Sequence, residues 1–157
     1  MRTARITLAV LAYSFTLMAA DAFSGTWKLN VEKSTLLGRN ADIASETLMV
    51  SETGPNTYTV VTDIVSKTGE KKHQEYKRTY DGKEHEVGNG GVEIDVRVDA
   101  MTHKVIDKKD GKQTGEFTIT ISTNGKLMTD RRSTGESRFM RNSRFPIQLP
   151  EHPLPLV

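Results

Sequence analysis

The sequence predicts an antiparallel, up-and-down β-barrel of roughly eight to ten strands with little helix. Three observations carry that expectation. Turn signals recur at short spacing: Gly54-Pro55-Asn56, Lys67-Thr68-Gly69, Asp81-Gly82, Asn89-Gly90-Gly91, Asp110-Gly111, Asn124-Gly125 and Thr134-Gly135. The runs between them are short and rich in Thr, Val, Ile, Phe and Tyr, residues that suit a pleated, half-buried surface. No long pattern of helical period separates those runs.

The chain opens on a leader pattern. Arg2 and Arg5 precede an apolar run from Ile6 to Ala20, and Ala20-Asp21-Ala22 has the small-x-small form of a signal-peptidase site. The run is shorter than the roughly 20 apolar residues a membrane-spanning helix needs. The expectation is an exported chain, periplasmic or secreted, cut after Ala22, with no stable membrane insertion afterwards. There is no cysteine, so neither a disulfide nor a lipid anchor holds the product. Residues 1–22 then form the signal peptide, 23–141 the barrel and 142–157 a Pro-rich tail.

Composition narrows the function. The formal net charge is only +2, and the charges alternate in sign along the chain. That excludes a general electrostatic footprint for nucleic acid. Beyond the leader, roughly three residues in ten are apolar, against about 45–50% in typical domains on a similar count that includes Gly. The interior is therefore either small or partly polar and wet.

Taken in order, Phe23-Ser24-Gly25-Thr26-Trp27-Lys28-Leu29 reads as the first strand and holds the only Trp. Residues 30–45 are the one candidate for a helix, of at most two turns, with Asn30 able to cap and Gly38 able to terminate. Tyr58 to Val65 is strongly β-forming. A two-residue turn at Asp81-Gly82 sets Lys77 opposite Glu86 and Tyr76 opposite Val87, an ion pair and an apolar pair. Gly88-Asn89-Gly90-Gly91 reads as a hairpin turn. Val92-Glu93-Ile94-Asp95-Val96-Arg97-Val98 alternates cleanly, which places the apolar residues inside and the charges outside. At Asp110-Gly111, one extra loop residue with a bulge brings Val105 opposite Phe117. Pro146, Pro150, Pro153 and Pro155 preclude a central strand at the end of the chain. That tail is either strapped to the barrel by Phe145, Ile147 and Leu149 or disordered.

A barrel end must be closed. A Trp buries some 150–250 Å² and offers its face to a cation. Trp27 is the natural plug. Gly25-x-Trp27 resembles the opening motif of the calycins, the lipocalins and fatty-acid-binding proteins, and Phe23-x-Gly25-Thr26-Trp27-Lys28-Leu29 resembles the fatty-acid-binding form. Gly25 to Asn30, followed by Lys33-Ser34, also resembles small secreted bacterial lipocalin-like proteins of unknown function with an N-terminal GTWKLN motif. Those proteins end on an aromatic-acid-Arg pattern. Arg138-Phe139-Met140-Arg141 departs from it by placing Met140 where the aromatic would fall. The resemblance implies a barrel reaching residue 141 and a last-strand Arg, Arg138 or Arg141, over Trp27. Fatty-acid-binding proteins insert two helices between their first strands. Residues 30–45 are too short for such a helical hairpin, so neither that entry route nor that ligand is carried over.

Chemistry-bearing residues are few. If the turn at Asn124-Gly125 has two residues, Met128, Asp130 and Arg132 share the face of Phe117, Ile119 and Ile121 and make an orienting site for a polar head group. One more loop residue turns Leu127, Thr129 and Arg131 inward instead. A third arrangement leaves Asp130, Arg131 and Arg132 solvated at the barrel rim. The candidate ligand-binding set is Tyr58, Phe117, Ile119, Met128, Asp130 and Arg132. His73, His85, His103 and His152 show no metal-ligand spacing, so no metal is expected. No nucleophile elbow and no recognisable Ser-His-acid order is present, so neither catalytic residues nor a cofactor are expected. Asp63, Glu93, Asp95 and Asp99 read as solubilising outer-face carboxylates. Lys67, Lys71, Lys72, Lys77 and Arg78, with Lys104, Lys108, Lys109 and Lys112, read as edge-protecting cations near hairpin tips or as contacts for anionic surfaces.

Two functions fit. One is a non-enzymatic carrier or sensor holding a small polar or amphipathic molecule inside or at the mouth of the barrel. The other is a protein-binding module, an inhibitor or an envelope-associated structural domain, with a filled barrel.

Overall fold

Among the described residues ten strands follow one another along the chain: β1 (Gly25–Leu29), β2 (Ile43–Gly54), β3 (Thr57–Ser66), β4 (Lys71–Thr79), β5 (Asp81–Gly88), β6 (Gly91–Arg97), β7 (Thr102–Lys109), β8 (Lys112–Ile121), β9 (Leu127–Arg132) and β10 (Ser137–Asn142). This is a computed structural model, and it describes residues 21–143. Residues 1–20 of the expected leader (1–22) and residues 144–157 of the expected tail (142–157) lie outside them. All pairings are antiparallel, in the order β4-β3-β2-β1-β10-β9-β8-β7-β6-β5. The sheet curls into a nearly closed barrel, as the strand count and turn spacing predict. Its one seam falls between β4 and β5, which are neighbours in sequence but the two ends of the pairing order.

The hairpin expected at Asp81-Gly82 is therefore not formed, and Lys77 and Tyr76 do not pair with Glu86 and Val87. The Asp81 carboxylate accepts from the Lys83 backbone N–H at 3.0 Å and holds the His85 ring at 2.8 Å. Gly82 takes a φ of 74° at a bulge in the β5–β6 ladder. Asp-Gly chemistry that would serve a tight turn serves a bulge here. Tyr80, the single residue between β4 and β5, is buried, and its N–H donates to the Asn56 carbonyl.

Elsewhere most turns behave as read, and the loop at Asp110-Gly111 is one residue shorter than expected. Asn89-Gly90 and Asp110-Gly111 both have positive φ at both positions, the condition for type I′ hairpins. Val105 does face Phe117, but the extra residue is not in the loop. It lies in β8, where Lys108 pairs with Gln113 and Asp107 with Gly115. The β8–β9 register sets Phe117 against Arg132, Ile119 against Asp130 and Ile121 against Met128, the two-residue-turn arrangement.

The expected helix is absent. Among the described residues the only helical element is a 3₁₀ turn, Gly38–Asn40. Asn30 does cap a turn, accepting from the Lys33 N–H at 3.1 Å. The chain then ties itself to β10: Thr35 bridges Ser137, and the Ser34 hydroxyl accepts from the Phe139 N–H at 3.0 Å.

The clean alternation of β6 is turned inside out. Asp95 is 3% exposed and pairs with Val105, which is fully buried, so Glu93, Asp95 and Arg97 face the interior. Val92, Ile94 and Val96 form the outer, half-buried face. Alternation shows that a strand has two unlike faces but does not say which is turned inward. A partner decides it here: Arg78 of β4 is not an edge cation but lies inside, and it reaches Glu93 and Asp95 across the seam.

Trp27 is fully buried and donates its indole N–H to the Phe23 carbonyl at 2.9 Å. Neither expected arginine covers it. Arg141 pairs with exposed Lys28 on the outer face, and Arg138 is held by Glu46. Asn142 stands opposite Trp27 on β10. A Cβ on Gly25 would lie 3.3 Å from the Asn142 amide nitrogen, and Gly25 has a φ of 154°, which explains the glycine of the Gly-x-Trp motif.

Candidate functional site: a polar-ended cavity inside the barrel

The interior is filled unevenly. At one end rings stack. His103 lies against Phe23 at 3.7 Å between centroids with the planes 6° apart, and against Tyr80 at 3.8 Å. Tyr58 meets both His103 and Tyr80 edge-on. Burial pushes His103 down to about 4, with Arg97 adding to the effect and Asp21 opposing it, so the ring is neutral at pH 7. Asp21 fastens this end: its carboxylate accepts from the Phe23 and Ser24 N–H groups and, at 3.0 Å, from the Tyr58 hydroxyl, and Arg97 lies 3.6 Å away.

Above the stack lies a cavity of about 140 Å³. All six candidate residues, Tyr58, Phe117, Ile119, Met128, Asp130 and Arg132, line it. The β8–β9 register and the inward parity of both strands bring the last five together. Arg138 also lines it, but as part of the polar wall and not as the cover for Trp27. Val60, Met128, Phe117 and Met140 make its apolar wall; Glu46, Arg78, Asp130, Arg132 and Arg138 make its polar wall. A wider hollow of about 420 Å³ continues outward from Glu46, Thr62, Tyr76, Arg132 and Arg138 to a rim that includes Arg39, Asp42, Glu70 and Lys72.

The polar wall is a set of buried ion pairs. Arg138 is hydrogen-bonded to Glu46, which is 5% exposed. Arg132 stands 3.9 Å from Asp130 and 3.5 Å from Glu136, and its guanidinium lies 4.4 Å from the Phe117 ring centre. Glu136 accepts from the Asn40 amide at 2.7 Å, which ties the 3₁₀ turn to the wall. Arg78 lies 2.7 Å from Glu93 and 3.3 Å from Asp95. Burial pushes both Asp95 and Asp130 up to about 6, with the neighbouring arginine opposing the rise in each case. Several polar atoms here are buried with no hydrogen-bond partner among the described residues: Asp130 Oδ1, Arg132 Nε and Arg138 Nε. Buried polar atoms are rarely left so unless something else meets them.

Sequence reasoning missed Arg78, His103 and Glu46. The inward parity of β7 could have found His103, because His103 and Val105 are two apart. Nothing local marks Glu46 or Arg78, whose partners lie on other strands.

No family model matches the sequence, and no characterised protein matches it at the level of sequence. Solved structures do share the fold. The wild-type fluorescent protein UnaG aligns at 20% identity with a TM-score of 0.56, covering 80% of this chain and all of that one. Fatty-acid-binding protein 1 of Echinococcus granulosus aligns at 17% identity with a TM-score of 0.55, covering 78% of this chain and 98% of that one. At such identities the likeness establishes the barrel fold of the calycins and fatty-acid-binding proteins, and that alone.

Proposed function

We propose that the chain is an exported, non-enzymatic binding protein that holds a small polar or amphipathic molecule in the barrel. The observation that carries this reading is the cavity itself, with an apolar wall that runs into a buried polar wall whose atoms are not all partnered. That is how ligand sites are commonly arranged. Its volume is near the roughly 150 Å³ of an engineered cavity that takes up benzene. The occupant is therefore small, or it extends a tail into the outer hollow. Native mass spectrometry of the protein isolated from its own host tests the reading. A small molecule retained at one-to-one stoichiometry supports it, and a stoichiometric protein partner with an empty barrel favours the protein-binding alternative.

Export rests on the leader pattern. The bonds of Asp21 argue for a cut two residues earlier than the one after Ala22, because removing Asp21 would strip Tyr58 and Arg97 of a buried carboxylate. Ala20 supplies a small residue for a cut before Asp21, although Met18 is bulkier than the usual pattern. Sequencing the exported protein's N-terminus is expected to return Asp21. A start at Phe23 would show that the Asp21 contacts are dispensable.

A further inference from the structure

The charges around the cavity do not balance. Arg138 is already held by Glu46. Arg132 stands between two carboxylates, Asp130 and Glu136. Across the interior, Arg78 likewise serves two, Glu93 and Asp95. Among the described residues three guanidinium groups thus face five carboxylates, and each guanidinium is matched or outmatched. A carboxylate ligand would find no free cation among the described residues of the polar wall and would enlarge the excess of buried negative charge, which is costly where water is scarce.

We infer that the polar end of the cavity selects a cationic head group, the ammonium of a small amphipathic amine, and discriminates against carboxylates. This rests on the proposal that the cavity binds a small molecule. The anchoring group is Asp130. It is 8% exposed, it lines the cavity, and its Oδ1 has no hydrogen-bond partner among the described residues. An ammonium has donors to give and no acceptor to satisfy, which is what that oxygen lacks. The unpartnered donors nearby do not call for an anion. Arg132 Nε lies 3.5 Å from Glu136, and the Arg138 guanidinium is bound to Glu46 through Nη2. The ionisation of Asp130 is consistent with this: burial, with Glu136 adding to it, holds the carboxyl up near 6 despite Arg132, and a further cation beside it would ease that cost. The body of the amine would lie on Phe117, Ile119, Met128 and Met140, which complete the cavity's apolar side.

The test uses three probes of one length, hexylammonium, 1-hexanol and hexanoate, titrated calorimetrically into the full-length protein at about pH 7.5. At that pH the amine is charged and Asp130 is largely ionised. Hexylammonium is expected to bind at least about tenfold tighter than hexanol, with hexanoate weakest. Asp130→Asn should weaken hexylammonium by about tenfold and leave hexanol within about twofold. Hexanoate binding as tightly as hexylammonium, or an Asp130→Asn protein that binds both as before, overturns the inference and leaves the cavity's role as a binding site standing. Failure of all three probes to bind overturns both. If Asp130→Asn does not fold, the order of the three affinities in the unaltered protein decides alone.

Discussion

The Arg78 guanidinium of β4 stands 3.3 Å from the Asp95 carboxylate of β6, across the one seam where consecutive strands do not pair. With Glu93 it forms a buried cluster that does the work a backbone ladder does elsewhere. Removing one member of a buried ion pair leaves the others uncompensated, at about 3–5 kcal/mol. Arg78→Ala should therefore lose stability on that scale in urea denaturation. Adding Asp95→Asn and Glu93→Gln should recover much of it, because the orphaned charges are then gone. An Arg78→Ala protein within about 1 kcal/mol of the original would show that the seam does not depend on this cluster.

Trp27 closes the β1 side of the core without a covering arginine from Arg138 or Arg141. Trp27→Ala should cost about 3–5 kcal/mol, the usual range for a buried large aromatic. Arg141→Ala should stay within about 0.5 kcal/mol, as exposed substitutions do, and should add to Trp27→Ala without coupling. A coupling near 1 kcal/mol or more in that double-mutant cycle would return Arg141 to the indole face.

Buried ionisable groups give opposing pH dependences. Asp95 and Asp130, held up to about 6, bind protons more readily folded than unfolded. Their contribution to stability is fully present below the unfolded carboxylate range and is lost as pH rises through about 6. His103, held down to about 4, does the reverse: its contribution is present above the usual His range and is lost as pH falls towards about 4. Between pH 7 and pH 5, Asp130→Asn should fall relative to the unaltered protein by about 1 kcal/mol, and His103→Phe should rise by a similar amount. Denaturant midpoints at the two pH values measure both. Parallel profiles for all three proteins would place these groups in water.

The barrel and much of the cavity lining are legible in the sequence because both depend on local patterns. Asn124-Gly125 set the β8–β9 register, and that register brought Phe117, Ile119, Met128, Asp130 and Arg132 to one face. What was not legible depended on distant partners. Glu93-Ile94-Asp95 alternates the same way whichever side faces in, and only Arg78, fifteen residues before Glu93, turns the charged side inward. The seam escaped notice because Asp81-Gly82 has the chemistry of a hairpin turn and is used at a bulge. Trp27 announced its burial, yet the partner carried over for it was wrong, since Arg138 answers to Glu46 on β2.

The central claim is that a small molecule binds inside this barrel between its apolar and polar walls. Amide chemical-shift mapping with a library of small amphipathic compounds tests it most directly. The account predicts that binders shift the amides of inward residues on β3, β8, β9 and β10, with Val60, Phe117, Asp130 and Arg138 among them, and that Ile119→Trp, which fills the cavity, abolishes those shifts. Shifts confined to loops or to the outer face, or binding that survives Ile119→Trp unchanged, would contradict it.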